Sequence, residues 1–344
     1  MSYRVGLVGY GLAGEWFHSP LIAATEGLEL TSVVTSNEER ANRVRARYPD
    51  AVVLPDVDVL LERRDEHDLV VVAAPNRAHA PVALAALDAG LPVVVDKPLA
   101  ASVADGRRLQ EEAEARSLML AVFHNRRWDG DMLTIRRLIG EGALGQVLRF
   151  ESRFERWRPD VRSEVWRERG APGEAGGVVF DLGSHLIDQA LLLFGPVESV
   201  YAEVERRRPG ALVDDDAFLA LRHRSGIRSH LWTSQVAAQG APRMRVLGSR
   251  AAYVKWGLDV QEESLRAGEL PGGYDWGREP AEAWGTLGVE EDARPVQTEA
   301  GDWPAFYRGV AASLRDGSPP PVGAAEAVEV LDVIERGLAA ANRG

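Results

Sequence analysis

The chain has 344 residues, 45% of them hydrophobic, and a formal net charge of -12. That length gives material for two domains with separate cores, and the acidic balance argues against a nucleic acid or an anionic membrane as partner. Cysteine is absent, which excludes disulfides, thiol catalysis and every cysteine-containing zinc site.

The opening MSYRVGLVGYG passes straight into a strand-and-turn pattern, without a signal-peptide profile, and no apolar run reaches the length of a membrane span. A soluble, cytoplasmic protein is expected. Arg4 to Val8 reads as a buried strand, followed at once by Gly9-Tyr10-Gly11-Leu12-Ala13-Gly14. In this G-x-G-x-x-G the first glycine permits a tight turn and the second lets the backbone approach a pyrophosphate. The third lets the following helix pack close to the strand. Leu12 and Ala13 complete this candidate cofactor-binding loop. Strands near 29–35, 51–54, 69–74, 92–96 and 118–122 then alternate with helical segments near 37–48, 79–89 and 102–116. That rhythm predicts right-handed βαβ units, a doubly wound parallel sheet, and a Rossmann-type NAD(P)-binding domain over residues 1–123.

The second strand, Leu30 to Val34, ends in Thr35-Ser36-Asn37. Dinucleotide-binding folds usually carry an acid there to hold the ribose 2′-hydroxyl. Its absence removes repulsion against a 2′-phosphate, and Ser36, Arg40 and Arg43 can donate to one. NADP(H) is therefore favoured over NAD(H). A structural use of the same residues stays open: Ser36 with Glu39 makes a capping box, and the arginines make a solvated helix face. Ligands of doubly wound sheets lie beyond the carboxyl ends of the strands. Two such ends are Pro75-Asn76-Arg77-Ala78-His79 and Asp96-Lys97-Pro98. Lys97 reads as a cation held at the site rather than as half of a surface pair, whereas His79 reads equally well as ligand-facing or structural.

Past Val122 the pattern changes. His124-Asn125-Arg126-Arg127-Trp128-Asp129 forms a polar junction, followed by a helix over Met132 to Ile139. β-rich stretches follow at 146–156, 198–205, 217–223, 227–236, 243–247 and 251–256, with hairpin turns at 225–226 and 248–249. Alternation puts Leu148, Phe150 and Phe154 on one face. The expectation is an α+β domain over 124–344 with a large, mostly antiparallel open sheet of about six strands. Residues 257–300 read as irregular, and helices over 302–314 and 324–340 would pack back on the first domain. Of the nine tryptophans, Trp157 and Trp166, each followed by arginine, are candidates for stacking on a ring.

Between the first two of those stretches lies GGVVFDLGSHLIDQALLLFG, residues 176–195. Leu182, Leu186, Ile187, Ala190, Leu191 and Phe194 recur at helical spacing, so the helix should be packed on most sides. Yet Asp181 and His185 share one face at i and i+4, and desolvating them costs several kcal/mol unless they are paired. Two readings stay open: a helix cap beside a satisfied core histidine, or a catalytic pair. A metal site lacks a convincing third ligand, although His79, His124 and Asp188 are conceivable, and no metal is expected.

GYGLAG at 9–14, PNRAH at 75–79, DKP at 96–98 and GGVVFDLGSHLID at 176–188, in this order and spacing, resemble the glucose–fructose oxidoreductase / inositol dehydrogenase / rhizopine-catabolism family (Gfo/Idh/MocA). FHNRRWDGDMLTIRRLIGEG and KWGLDVQEESLRAGE look closest to its branch of NADP-dependent scyllo-inositol dehydrogenases. The resemblance implies that Lys97 and His185 flank the reacting carbon, with Asp181 as the third member of the set. It places Asn76 and His79 near the nicotinamide, with Pro75 in the same cofactor-binding turn, and Trp166 and Arg167 near cofactor or substrate. The family's usual Glu-Lys-Pro is Asp-Lys-Pro here, and the shorter carboxylate changes the hydrogen bonding open to Lys97. The implied reaction is hydride transfer between the nicotinamide and a secondary alcohol or ketone of an inositol, polyol or sugar, in a homodimer or homotetramer. In such chemistry His185 would move the hydroxyl proton, Lys97 would stabilise the alkoxide and Asp181 would orient the pair. A redox-neutral glycosidase using transient oxidation by bound NAD and a non-catalytic dinucleotide sensor are the alternatives.

Overall fold

The computed structural model describes residues 2–162, 164–168 and 174–342. They divide into two compact units. One comprises the chain up to Asn125 together with Glu262–Tyr274 and Trp303–Val328; the other comprises Arg126–Gln261, Asp275–Asp302 and the residues from Glu329 on.

The first unit is built on six strands: β1 (Tyr3–Val8), β2 (Leu28–Val34), β3 (Val52–Leu54), β4 (Leu69–Val72), β5 (Val93–Asp96) and β6 (Leu120–Phe123). Their order is β3-β2-β1-β4-β5-β6, and every pairing is parallel. LVVV of β4 and VVVD of β5 are buried at every position, as expected of strands covered on both faces. The crossovers are α1 (Ser19–Ala23), α2 (Glu38–Arg47), α3 (Val57–Glu62), α4 (Asn76–Asp88) and α5 (Val103–Ala115). The strand order reverses between β1 and β4, the position at which such sheets hold their ligands. Short α3 has no signature in the expected helices, because six residues are too few to show a period.

The second unit holds an eight-stranded sheet: β7 (Val147–Glu155), β8 (Val197–Glu205), β9 (Asp216–His223), β10 (Arg228–Ser234), β11 (Met244–Gly248), β12 (Ala252–Lys255), β13 (Gly285–Gly288) and β14 (Arg294–Val296). The order is β14-β13-β12-β11-β7-β10-β9-β8, and only β7 and β10 pair in parallel. Among its helices are α6 (Gly130–Gly140) and α7 (Ser184–Phe194). Phe150, Phe154, Leu219, Leu231 and Val246 of the sheet share one core with Ile135 of α6 and with Leu186, Ile187 and Ala190 of α7. Each of these side chains larger than alanine contributes about 1.5–3 kcal/mol by leaving water. Three helices complete the chain: α8 (Gln261–Arg266), α9 (Pro304–Asp316) and α10 (Ala324–Ala341). Among the described residues no helix is long and apolar enough to cross a membrane.

Two expectations for this sheet need correction. It has eight strands rather than six, because β13 and β14 arise within the stretch read as irregular. GTLG and RPV are too short to show alternation, and they are held from elsewhere. A side chain at Gly285 would strike the buried Tyr253 ring at 2.5 Å, so glycine lets β13 close on β12. Buried Lys255 pairs with Glu279 at 3.0 Å and donates to the carbonyls of Trp256 and Ala283 at 2.7 and 2.9 Å. Leu148 does not share the face of Phe150 and Phe154; it is 52% exposed. The β7–β11 register shifts at Leu247/Gly248, opposite Val147 to Arg149, and this bulge turns Val147 inward in its place.

Candidate active site

In the first unit the loop after β1 is shaped by its three glycines. Gly9 has φ +98°, and a Cβ there would lie 2.6 Å from the Ala73 carbonyl oxygen. A Cβ on Gly14 would overlap the Gly9 carbonyl, so this residue lets the helix start against the turn. A Cβ on Gly11 would meet nothing within 4 Å. Its bare face is therefore open, and Leu12 beside it is exposed while Ala13 is buried. A backbone surface with room above it at the sheet's reversal point fits a dinucleotide pyrophosphate. The chain leaves the loop through a π-helical turn, Gly14–His18, which runs directly into α1.

At the end of β2, Ser36 and Arg40 are exposed. The capping-box reading of Ser36 does not hold: the N-cap of α2 is Asn37, whose Oδ1 accepts the Arg40 N–H at 2.9 Å. Arg43 is engaged by Glu15 at 2.8 Å and Glu39 at 2.8 Å. The carboxylate of Glu15, on the helix after the glycine loop, thus holds one of the two arginines expected to meet a 2′-phosphate.

At the end of β4, Pro75 precedes α4, and Asn76, its first residue, is buried. His79, one turn on, has no exposed surface. Its Nδ1 lies 2.7 Å from the Pro98 carbonyl and its Nε2 2.9 Å from the Ala74 carbonyl. Two acceptors favour the doubly protonated ring, but complete burial outweighs them and lowers the His79 pKa. Through these two contacts His79 ties the turn after β4 to the turn after β5. That second turn carries Lys97, which is half-buried and joined to Pro98 by a cis peptide. Its backbone N–H donates to Asp96 Oδ1 at 2.9 Å. Burial pulls the Asp96 carboxyl upward, yet His18, Lys97 and His79 together outweigh burial and hold it below the usual carboxylate range.

In the second unit Asp181 and His185 occur on one continuous helical run. A π-helical turn, Val179–Gly183, leads into α7, and π turns recur at functional sites. His185 is buried on α7, and Asp181 is partly exposed. Asp181 does not cap the helix, since the backbone is already helical on both sides of it. It pairs instead with Arg167 Nε at 3.3 Å, and the Arg167 guanidinium lies 4.5 Å over the Trp166 ring. Arg167 therefore links the Trp166 ring to Asp181, which precedes His185 by four residues on the same helical run. Gly176 and Gly177 permit this: a Cβ on Gly176 would lie 2.8 Å from the Arg167 carbonyl, and Gly177, at φ +87°, has no room for one beside the Asp214 carboxylate.

Asp214 is the cap that sequence reasoning missed. Its Oδ2 accepts the Val179 N–H at 2.8 Å, and its carbonyl accepts the Val178 N–H at 3.0 Å. Desolvation raises its pKa to about 6, against the backbone donors that lower it. No local signal marks it, because Asp214 lies 35 residues beyond the amide it caps. Asp188 is likewise committed: Arg127 grips it through Nε at 2.9 Å and Nη2 at 2.6 Å, both side chains buried. Among the described residues no group of three metal-ligating side chains is assembled. Lys97 had one further signal available in the sequence. Of 40 basic residues only Lys97 and Lys255 are lysines, and Lys255 is a buried strut.

Two family models match successive parts of the chain. Residues 3–124 match an oxidoreductase family with an NAD-binding Rossmann fold, and residues 132–254 match the GFO/IDH/MocA C-terminal domain. The chain belongs to the Gfo/Idh/MocA oxidoreductase family. Relatives of this family align over nearly its whole length. It is 42% identical to the uncharacterized oxidoreductase YdgJ of Escherichia coli K12, over 99% of this chain and 97% of that one. It is 34% identical to scyllo-inositol 2-dehydrogenase (NADP(+)) IolW of Bacillus subtilis 168, over 98% and 93%. The solved structure of the Bacillus subtilis oxidoreductase yvaA superposes with a TM-score of 0.93 at 32% identity, covering 100% of this chain and 97% of that one. The protein is thus an oxidoreductase enzyme with an NAD(P)-binding Rossmann domain.

Proposed function

We propose that this enzyme transfers a hydride between NADP(H) and a secondary alcohol or ketone of an inositol, polyol or sugar. The observation that carries the reading is Asp181, held by Arg167 beside the Trp166 ring and followed four residues on by buried His185 at a π-turned helix start, in a chain 34% identical to an NADP-dependent scyllo-inositol dehydrogenase. Preference for NADP(H) is supported by exposed Ser36 and Arg40 at a β2 end that lacks an acid.

The nicotinamide, when bound, supplies or accepts the hydride. Gly9, Gly11, Leu12, Ala13 and Gly14 would hold the pyrophosphate, while Ser36 and Arg40 would hold the 2′-phosphate. Pro75 and Asn76 would flank the nicotinamide, and Trp166 with Arg167 would meet cofactor or substrate. His185 would take the hydroxyl proton as the alcohol is oxidised and return it in reduction, a task suited to an imidazole at working pH. Lys97 would stabilise the alkoxide. Asp181 would orient the imidazole, with Arg167 holding its carboxylate. A panel of inositols, inososes and aldoses, followed by NADPH absorbance in both directions, tests this. Turnover without net absorbance change, with cofactor retained, would assign the transient-oxidation chemistry of a glycosidase instead.

A further inference from the structure

Behind Lys97, wholly within the first unit, lies a chain of polar groups that the reaction above does not use. Asp96, the last residue of β5, is buried, and its Oδ1 accepts the Lys97 N–H at 2.9 Å. His18, the last residue of the π-helical turn after the glycine loop, has no exposed surface, and its Nε2 faces Asp96 Oδ1 at 3.7 Å. The other nitrogen, Nδ1, lies 2.6 Å from the hydroxyl of Tyr307, a fully buried residue of α9. Phe123 packs on the His18 ring at 4.3 Å between centroids, and Phe306 closes on Phe123 at 5.0 Å, so water is kept out. An imidazole and a phenol cost several kcal/mol to place in such surroundings unless they serve a partner.

We propose that His18 and Tyr307 are positioning residues for Lys97, fixing the Asp96 carboxylate behind it and so coupling the cofactor loop to the catalytic lysine. The assignment of protons follows from the chemistry. An ionised Asp96 can only accept, so His18 carries its proton on Nε2, and Nδ1 accepts the Tyr307 O–H. Burial and the nearby Asp96 charge raise the Tyr307 pKa well above its ordinary value, which keeps it a donor. The 3.7 Å gap is longer than a hydrogen bond, and Nε2 has no hydrogen-bond partner among the described residues. Catalytic hydrogen bonds of this kind are often long before ligand binds and close with it. Because His18 ends the turn that Gly14 begins, movement of that turn on cofactor binding would be felt by Asp96, and through its bond to the Lys97 amide by Lys97. His79 also acts on Asp96 electrostatically, so the groups around the carboxylate are His18, His79 and Lys97, with Tyr307 beyond.

The proposal rests on the role given to Lys97 above, and the experiment separates the two. With only two lysines in the chain, incorporation of ¹³C,¹⁵N-lysine gives side-chain resonances for Lys97 and Lys255 alone, and Lys255 serves as the internal control. Tyr307→Phe and His18→Asn should each move the Lys97 resonance and leave that of Lys255 in place. Turnover on the best panel substrate should fall about tenfold in Tyr307→Phe, with KM for NADPH within about twofold, since one hydrogen bond to a charge-bearing network is lost. Its acid limb should move to higher pH, because Asp96 is less well held as the carboxylate. An unmoved Lys97 resonance in both variants, or unchanged turnover and acid limb in Tyr307→Phe, overturns the proposal. A moved resonance together with an active Lys97→Met overturns the role of Lys97 and leaves the positioning intact. ¹⁵N-histidine spectra of the unmodified protein give a check that needs no variant: His18 should be the Nε2–H tautomer, and Nδ1–H would refute it.

Discussion

At the scale of single residues, His185 and Lys97 decide between catalysis and packing. His185 is buried on α7, so a purely structural role would make His185→Ala act through stability, at about 1–3 kcal/mol from partners left unpaired. Loss of a general acid/base costs about 10²–10⁴-fold in rate instead. We expect His185→Ala and Lys97→Met to lose turnover on that larger scale with melting temperatures close to wild type. A sharply lower melting temperature with near-normal turnover of the folded fraction would return His185 to the core. The 2′-phosphate contact is tested in the same way. Arg40→Ala should weaken NADPH and leave NADH nearly unchanged in calorimetry, whereas Arg43→Ala should change their ratio far less, because Glu15 and Glu39 already occupy that guanidinium. Equal affinity for both cofactors in the unmodified protein would refute the NADP(H) preference. The sequence could present Arg40 and Arg43 only as equals. They differ through a partner, Glu15, that lies 28 positions upstream, and such pairings have no local signature.

At the scale of elements, the start of α7 is held by groups that the local sequence does not contain. The period of its apolar residues and the i, i+4 relation of Asp181 and His185 are legible directly, since both depend only on spacing. The π-helical entry is not, nor is the cap from Asp214, because each requires the chain to return from a distance. The cap makes stability depend on pH. The folded-state pKa of Asp214 is about 6, raised by desolvation above its ordinary 3.8. Between those values the folded protein binds more protons than the unfolded chain, so this contribution is complete below about pH 4 and is lost as pH rises through about 6. Asp214→Asn keeps an acceptor for the Val179 amide and removes the titration. Its melting temperature, relative to wild type, should therefore improve from pH 5 to pH 8, by the equivalent of at most about 2 kcal/mol. Parallel melting curves for the two proteins across that range would show that Asp214 carries no such linkage.

At the scale of the molecule, the alternation of strands and helices up to Phe123 was enough to give the parallel sheet, because each βαβ unit is local in the chain. The second sheet was legible only in class. Its order carries β7 between β11 and β10, and its last two strands are short pieces fixed by Tyr253 and Lys255, so neither count nor order follows from a local period. Metal chemistry has to be weighed over the same whole, since ligands that are scattered in sequence can meet in space. Three of the candidates offered by the sequence are spoken for. Asp188 is gripped by Arg127, His79 meets two backbone carbonyls, and Asp181 pairs with Arg167. Drawing any of them onto a cation would break a contact that holds a site element in place, at a cost of several kcal/mol for the buried Arg127–Asp188 pair. Turnover should therefore survive exhaustive dialysis against EDTA, with the melting temperature unchanged. Loss of turnover restored by one divalent ion would mean that Asp181 leaves Arg167 to become a ligand, and Arg167→Ala should then tighten that ion's binding rather than weaken it.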